Sequence, residues 1–237
     1  MQIDGTTALV TGANRGLGRA YAQALLDAGA AKVYAGVRSP TSFASDDARL
    51  VGVALDVTDD AQIAAAAAGL PDVELVISNA GVAVPGPALE ATREDALRQL
   101  DVNALGPLAV GAAFAPVLAA NGGGAIVNVL SVGSWITVPG LATYAASKAA
   151  AWSLTNALRL AVREQGTQVV GVHVGFLDTD MTAALDVEKI APAVVAQATL
   201  AGLEAGETEV LVDELSRNVK AALPDDHAAL YGVGAAA

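Results

Sequence analysis

Short apolar runs that alternate with helix-forming segments constrain the fold of this chain more than any other feature. The runs are rich in β-branched residues, and the segments between them carry apolar residues at helical spacing. Strands that are apolar throughout are typical of a parallel sheet with both faces covered. The pattern predicts an α/β fold, a Rossmann-type doubly wound parallel sheet of seven strands with helices on both faces. The strands are predicted at 7–10, 32–37, 49–56, 73–78, 125–130, 168–174 and 209–213.

The composition excludes several classes of function. The chain carries 25 acidic and 13 basic residues, a net charge of −12, which argues against non-specific nucleic-acid binding. It has no cysteine, which excludes disulfides, thiolate metal sites and cysteine nucleophiles. Its two histidines, His173 and His227, argue against a histidine zinc site. We therefore expect no metal site and no nucleic-acid partner.

The organisation of the sequence predicts a single domain. No linker-like boundary divides residues 1–237, and the loop expected to border the substrate is short, at about 175–191. No signal-peptide pattern is visible at the N-terminus. The longest uncharged apolar stretch, 104–120, contains prolines and is short for a membrane span, so we interpret it as a buried or interface helix. A cytoplasmic protein without membrane association is expected.

A glycine-rich loop, TGANRGLG from Thr11 to Gly18, joins the first strand to the first helix. Glycines let the backbone turn sharply and approach a pyrophosphate, and the following helix offers free N–H groups and a positive dipole end. Glycines often serve only a tight turn, but the strand–loop–helix context favours a dinucleotide site. The residues expected to contact the cofactor here are Gly12, Asn14, Arg15, Gly16, Leu17 and Gly18.

A serine, a tyrosine and a lysine are spaced so that they can meet. Ser131 follows the fifth strand, and Tyr144 and Lys148 lie at i and i+4 on the next helix, hence on one face. A lysine cation beside a phenol favours the phenolate and lowers the phenol pKa from about 10. The set suits proton transfer to or from an alcohol oxygen. Taken alone, such a Tyr/Lys pair is more often an ordinary surface pair.

Together these motifs resemble the short-chain dehydrogenase/reductase family. The pattern T-G-x-x-x-G-x-G, followed downstream by S and Y-x-x-x-K, has the family's order and spacing. The resemblance covers essentially the whole chain. It includes Asp56 after the third strand, Asn79-Ala80-Gly81 after the fourth strand, and Asn103 in the helix that follows. It implies an oxidoreductase that uses a nicotinamide cofactor.

The resemblance also implies a role for each matching residue. Tyr144 would be the catalytic acid/base, Lys148 would lower its pKa and hold the nicotinamide ribose, and Ser131 would orient the substrate. Asn103 would help to hold a water in a proton relay that ends at Lys148. The other cofactor contacts implied are Asp56 and Val57 at the adenine, Asn79, Ala80 and Gly81 at the ribose, and Gly175 and Thr179 near the nicotinamide.

Two departures from the family pattern stand near these positions. Ser78 precedes Asn79 where the family often has asparagine, which keeps a polar group there. Val174 precedes Gly175 where the sixth strand usually ends in Pro-Gly, and this concerns the shape of the loop over the nicotinamide.

The end of the second strand bears on the choice of cofactor. An acidic residue there would bond the adenosine ribose and repel a 2′-phosphate, but this chain has Val37 followed by Arg38. The guanidinium groups of Arg38 and Arg15 could clamp a 2′-phosphate through charge-assisted bonds. Both arginines could instead be ordinary surface charges. We expect NADP(H) to be preferred over NAD(H).

Apolar side chains in the loops around Ser131 suggest an apolar substrate pocket. Trp135 is the best candidate, because an exposed aromatic side chain in a loop needs a reason. His173 is interpreted as a strand residue with a structural bond. The expected pocket consists of Ser131, Val84, Trp135, Phe176 and Met181, whereas core packing explains Val138 and Leu141 equally well.

The leading hypothesis is an NADPH-dependent carbonyl reductase that converts a ketone or aldehyde to an alcohol, with Tyr144 as proton donor. The same site in reverse is an alcohol dehydrogenase, and an NAD(P)-dependent dehydrogenase of hydroxysteroid- or sugar-like secondary alcohols is the alternative. An NADP(H)-sensing binding protein is a non-enzyme alternative, against which the Ser131/Tyr144/Lys148 set argues. Family members usually pair through two long helices, here about 92–120 and 142–164, which implies a homotetramer or a homodimer.

Overall fold

The computed structural model describes residues 1–225 and 230–231, so His227 lies outside the described residues. Within this part of the chain, parallel strands form one sheet whose spatial order is β3-β2-β1-β4-β5-β6-β7 when the strands are numbered along the chain. The prediction of a seven-stranded parallel Rossmann-type sheet is confirmed. The strands are β1 (Thr7–Thr11), β2 (Lys32–Val37), β3 (Leu50–Ala54), β4 (Leu75–Ser78), β5 (Gly124–Val129), β6 (Thr167–His173) and β7 (Glu209–Leu211).

Helices cover both faces of the sheet, and each face has its own apolar layer. Leu25 and Leu203 are buried on one face, and Ile63, Phe114 and Leu158 are buried on the other. The apolar strands are therefore enclosed on both sides, as their composition predicts. The helices are α1 (Gly16–Asp27), α2 (Asp60–Gly69), α3 (Arg93–Leu100), α4 (Gly106–Ala120), α5 (Ala142–Ala161), α6 (Pro192–Glu204) and α7 (Glu214–Ala222).

The strand order opens a crevice at the carboxyl ends of the strands. β1 pairs with β2 on one side and with β4 on the other, so the winding of the chain reverses between β1 and β4. Such a reversal leaves a crevice where ligands of open α/β sheets bind. The glycine loop follows β1, Asn79 follows β4, and Ser131 follows β5 after one residue, so the motifs meet at this edge.

Some boundaries differ from the prediction for local reasons. The third strand ends at Ala54, before Asp56. The N-cap of α2 is Asp59, whose side chain accepts from the backbone N–H groups of Ala61 and Gln62. Thr58, whose hydroxyl could also cap this helix, instead donates its hydroxyl hydrogen to Asp56 at 2.8 Å. At α3, the cap is Thr92, whose hydroxyl accepts from the N–H of Asp95 at 3.0 Å.

The helical segment 93–120 contains a π-helical turn at Asp101–Leu105, which the sequence pattern did not predict. Within the described residues, this segment is the helix long and apolar enough to cross a membrane. Its Phe114 and Leu118 are fully buried among strand and helix residues. The interpretation of residues 104–120 as a packing helix is therefore confirmed for that face.

Candidate functional site

The glycine loop has a backbone that demands glycine. Gly12 and Gly16 have φ angles of 66° and 52°, in the left-handed region that glycine tolerates. A Cβ atom on Gly18 would lie 2.2 Å from the carbonyl oxygen of Gly12. The loop therefore turns sharply, and the first turn of α1 packs directly against it.

The segment after β4 is hydrogen-bonded to the end of β1. The Thr11 hydroxyl accepts hydrogen bonds from the backbone N–H groups of Asn79 and Ala80, both at 3.0 Å. The Asn79 side chain donates to the Thr11 carbonyl at 3.0 Å. Gly81 lies beside the side chain of Asn103, whose Oδ1 would be 3.3 Å from a Cβ atom added there. The structure thus brings residues 79–81 against the glycine loop.

A dinucleotide fits this arrangement. The N-cap residue of α1, Arg15, has an extended backbone, and its side chain does not cap the helix. The free N–H groups of the first helical turn and the helix dipole suit an anionic phosphate. Asn14, Arg15 and Gly16 are exposed, whereas the Leu17 side chain is buried in the core, so Leu17 could reach a cofactor only through its backbone.

Ser131, Tyr144 and Lys148 come together next to this crevice. The Ser131 Oγ accepts from the N–H of Gly133 at 3.0 Å. Gly133 borders both side chains, since a Cβ atom added there would lie 3.4 Å from the Ser131 Oγ and 3.6 Å from Cε1 of the Tyr144 ring. The Lys148 Nζ lies 5.9 Å from the centroid of the Tyr144 ring. It donates to the carbonyl oxygen of Val129 at 2.8 Å. The structure therefore places the three predicted side chains in one small volume.

Burial governs the charge state of the phenol and the amine. Lys148 is 5% exposed, and burial lowers its pKa to about 8. Burial raises the pKa of the Tyr144 phenol, and the nearby Ser131 hydroxyl acts in the opposite direction. The expected net lowering of the phenol pKa by Lys148 is wrong for the protein alone, because burial is the larger influence. Near neutral pH the phenol is therefore neutral and the lysine is a cation.

Asn103 lies on the π-helical turn, and its side chain is committed to the protein. Its Oδ1 accepts from the N–H of Val82, and its Nδ2 donates to the carbonyl of Val82, both at 2.8 Å. Nδ2 also donates to the Ser147 hydroxyl at 2.9 Å. Both amide hydrogens are thus engaged, so a relay water could bond this side chain at the remaining lone pair of Oδ1.

The residues predicted to lie at the adenosine end of the cofactor differ in exposure and in the direction of their side chains. Arg38 is exposed directly after β2. Asp56 Oδ1 accepts from the backbone N–H of Thr58 at 3.0 Å as well as from its hydroxyl. Val57 is 7% exposed and packs against Gly106, where its Cγ2 would be 2.9 Å from an added Cβ atom. The Val57 side chain therefore faces the core, and only its backbone remains for a cofactor.

The substrate-side loop lies against the glycine loop. Thr179 is beside Gly16, with its Cγ2 3.5 Å from the position of an added Cβ atom. Arg15 and Asp180 form an ion pair at 2.7 Å, with side chains 71% and 75% exposed. Sequence reasoning missed Asp180, although an acid next to Thr179 was visible. The pair joins the two loops that border the crevice.

The start of this loop is fixed by a residue that sequence reasoning also missed. Asp213 Oδ2 accepts from the backbone N–H of Gly175 at 2.7 Å, and its Oδ1 caps α7 through the N–H of Ser216 at 2.7 Å. Leu215 reaches the same place, since its Cδ2 would be 3.0 Å from a Cβ atom on Gly175. Of the expected pocket residues in the loop, Phe176 is half-buried and Met181 is 51% exposed.

Trp135 is not the exposed loop aromatic that the sequence suggested. Its ring stacks on His173 with centroids 3.8 Å apart and meets the edge of Trp152 at 6.3 Å. The Lys220 Nζ lies 4.8 Å from its centroid. His173 is fully buried, which lowers its pKa to about 4, and its Nδ1 hydrogen-bonds the Ser131 carbonyl at 3.2 Å. The structural bond predicted for His173 is confirmed, and Trp135 packs on the imidazole that bonds the Ser131 backbone.

The sequence and the fold both match known dehydrogenases. The family model of short chain dehydrogenases matches residues 6–189. A sorbitol dehydrogenase from Cereibacter sphaeroides is 35% identical over 188 residues, which cover 75% of this chain and 73% of that protein. The family-model match includes the glycine loop and the Ser131, Tyr144 and Lys148 positions.

Two solved structures extend the likeness over most of the chain. A short chain dehydrogenase from Burkholderia cenocepacia in complex with NADP is 41% identical, with a TM-score of 0.93 and 97% of each chain covered. A 3-ketoacyl-(acyl-carrier-protein) reductase from Brucella melitensis complexed with NADH is 26% identical, with a TM-score of 0.80. The alignment covers 88% of this chain and 96% of that one.

Proposed function

The chain belongs to the short-chain dehydrogenase/reductase family and is an oxidoreductase, and from this premise we propose that it reduces a ketone or an aldehyde to an alcohol with NADPH. The observation that carries the proposal is the meeting of Ser131, Tyr144 and Lys148 beside the glycine loop. The nicotinamide, when bound, supplies a hydride to the carbonyl carbon. The side chains of the protein orient the substrate and deliver the proton.

Tyr144 is the proposed proton donor. Burial raises its pKa, so the phenol carries its proton at neutral pH and can give it to the substrate oxygen. The Ser131 side chain borders the same glycine, Gly133, as the phenol, and its hydroxyl would bond the same substrate oxygen. The carbon gains a hydride and the oxygen gains the phenolic proton, so the product is the neutral alcohol.

Lys148 is proposed to hold the cofactor and to stabilise the phenolate that proton donation leaves behind. With a pKa of about 8 it remains a cation at neutral pH. An ammonium group has three donors, and the Val129 carbonyl takes one of them. The others would bond the nicotinamide ribose hydroxyls. The cation favours the charged form of Tyr144 after proton transfer.

NADP(H) is proposed over NAD(H). No acid stands at Val37 or Arg38 to repel a 2′-phosphate. Among the residues that the structure describes, the partner of the Arg15 side chain is Asp180, and this exposed ion pair is weak enough for a phosphate to displace. Measured affinities would decide between the cofactors, and an NADH affinity equal to or above that of NADPH would refute the preference. The other residues proposed at the cofactor are Gly12, Asn14, Gly16, Leu17, Gly18, Asp56, Val57, Asn79, Ala80, Gly81, Gly175 and Thr179.

Oxidation of a sugar-like secondary alcohol is the second candidate. It is favoured by the 35% identity to a sorbitol dehydrogenase. The same side chains would act in reverse, with Tyr144 accepting the alcohol proton and the oxidised cofactor accepting the hydride.

The experiment follows cofactor absorbance in both directions. NADPH or NADH is supplied with an acetoacetyl thioester, fructose, acetophenone or benzaldehyde, and NADP⁺ or NAD⁺ with sorbitol. We expect carbonyl reduction by the wild type and a loss of at least about 100-fold in Tyr144→Phe, which retains NADPH binding. Turnover that survives in Tyr144→Phe would refute the mechanism. NADPH binding without any turnover would favour the sensing protein.

Assembly into a homodimer or homotetramer is proposed through the α3–α5 face. A groove of about 420 Å³ there is lined mainly by apolar side chains, and its Leu97 and Leu105 are 52% and 51% exposed. Such a patch is typical of a protein interface. Analytical ultracentrifugation of the wild type and Leu105→Asp tests the proposal, since the substitution should yield monomers. A cytoplasmic location remains a prediction.

A further inference from the structure

A fully buried glutamine connects the helix that carries Tyr144 to the segment after β4. Gln99 of α3 has 0% of its surface exposed. Its Oε1 accepts from the backbone N–H of Val84 at 3.0 Å. Its Nε2 donates to the Thr143 hydroxyl at 2.7 Å and to the Asp95 carbonyl at 3.2 Å. Every polar group of this amide therefore has a partner.

The bridge is repeated one helical turn later. Asn103 holds Val82 on one side and the Ser147 hydroxyl on the other. Gln99 and Asn103 are four residues apart, and so are Thr143 and Ser147. Side chains at this spacing share one face of a helix. The two amides thus form two rungs between the 82–84 segment and one face of α5.

The rungs end beside the proposed proton-transfer groups. Thr143 immediately precedes Tyr144, and Ser147 immediately precedes Lys148. A rotation or sliding of α5 would move the phenol and the amine together. The other end of the Gln99 rung holds Val84, which is among the residues proposed to border the substrate. The rung therefore sets the distance between the substrate side of the site and the phenol.

A buried glutamine at position 99 costs more free energy than an apolar side chain would if the position served packing alone. Burying an amide requires a hydrogen bond for each polar group, whereas an apolar side chain of similar size needs none. The position is enclosed between α3, α5 and the 82–84 segment. A methionine or leucine would suit such a place if filling it were the only requirement.

We propose that Gln99 is a positioning residue for proton transfer, acting through Thr143 on Tyr144 and through Val84 on the substrate. The assignment rests on the proposed function, in which Tyr144 gives the proton. It adds a residue that makes no contact with the reacting atoms. Its effect is to hold the phenol where the substrate oxygen arrives.

The test compares threonine variants on one helix. Thr143→Val removes the hydroxyl that accepts from Gln99, and Thr143→Ser keeps it. The matched control is Thr155→Val, also on α5, which removes a buried hydroxyl that accepts from Asn128 Nδ2 at 2.9 Å. Thr155 lies about three helical turns beyond Tyr144. The control therefore loses the same kind of bond away from the phenol.

We expect Thr143→Val to lower kcat about ten-fold or more with the fastest of the carbonyl probes named above, at unchanged KM for NADPH. Thr143→Ser should restore kcat to within about two-fold of the wild type, and Thr155→Val should lower thermal stability but keep kcat. Gln99→Met should lower kcat as Thr143→Val does and also raise the KM of the carbonyl probe, because Val84 loses its acceptor. The two substitutions together should cost less than the product of their separate effects.

The assignment is overturned if folded Thr143→Val keeps its kcat, if Thr143→Ser does not recover it, or if Thr155→Val loses as much. Failure of the proposed function is seen separately, in the wild type and in Tyr144→Phe. If the wild type reduces no probe, or if Tyr144→Phe remains active, the proposed function fails and the role of Gln99 fails with it. If turnover depends on Tyr144 but not on Thr143, only the role of Gln99 fails.

Discussion

Replacing Lys148 by methionine should abolish turnover while relieving an electrostatic cost of folding. The lysine is 5% exposed, and its Nζ donates to the Val129 carbonyl at 2.8 Å. Burial lowers its pKa to about 8, from about 10.4 in an unfolded chain. Because the native state binds this proton less tightly than the unfolded state, the charged lysine opposes folding. A methionine of similar length carries no proton and avoids this cost.

The free-energy cost of burying the charged lysine depends on pH. This dependence distinguishes the effect of the charge from the effect of the lost hydrogen bond. Below about pH 8 both states are protonated, and the cost is complete at about 3 kcal/mol. Between about pH 8 and about pH 10.4 the native state releases the proton while the unfolded state keeps it, so the cost declines as pH rises. From about pH 7 to about pH 9.5 the wild type should gain about 2 kcal/mol relative to Lys148→Met. The lost bond to Val129 adds a difference that does not vary with pH.

Urea unfolding of the wild type and Lys148→Met at both pH values measures this change. Lys32→Met is the control, because a hydrogen bond with Asp72 raises the pKa of that half-buried lysine. A raised lysine pKa contributes stability that is lost only as pH rises through the folded pKa, so the Lys32→Met difference should stay constant over this range. The reasoning would be refuted if the difference in unfolding free energy between the wild type and Lys148→Met were equally constant over this pH range. Turnover by Lys148→Met at the wild-type rate would refute it too.

Two further substitutions test the glycine loop and the loop that faces it. Gly18→Ala should destabilise the fold by about 2 kcal/mol or more, because the new Cβ atom would lie 2.2 Å from the Gly12 carbonyl. Gly69→Ala, where nothing lies within 4 Å, should instead be neutral or stabilising in the same urea unfolding, and equal effects would contradict the geometry. Asp180→Asn should strengthen NADPH binding about two- to five-fold by releasing Arg15, and NADH binding should be unchanged. Fluorescence titration with each cofactor measures both affinities. An equal change for both cofactors would show that Arg15 does not distinguish them.

The sheet could be predicted because strand periodicity depends on composition over several residues. The apolar runs gave all the strands that the structure describes, with ends displaced by a few residues. The choice between Thr58 and Asp59 as a helix cap could not be made this way. Both residue types cap helices, and the outcome depended on Asp56, which engages the Thr58 hydroxyl. The π-helical turn around Asn103 has no signature in the apolar pattern.

The site could be predicted where it depends on backbone and spacing, and not where it depends on the direction of a side chain. Ser131, Tyr144 and Lys148 meet as their order and spacing predict. Trp135 was wrongly taken for an exposed residue, since a loop position in sequence does not reveal the imidazole of His173 on which the ring stacks. Asp180, Asp213 and Gln99 were missed for the related reason that their partners are distant in the chain.

Several structural features that lower local stability lie around the phenol of Tyr144. A lysine is buried with its charge, a glutamine is buried with its amide, and a π-helical turn interrupts the helix that presents Asn103. Each costs stability that an apolar side chain or a regular helix would avoid. Lys148, Thr143 and Ser147 all lie within one helical turn of Tyr144, so these costs converge on its position. Elsewhere in the fold, local sequence preferences agree with the structure. Around Tyr144 they do not, as expected of a site where the precise placement of a proton donor matters more than local stability.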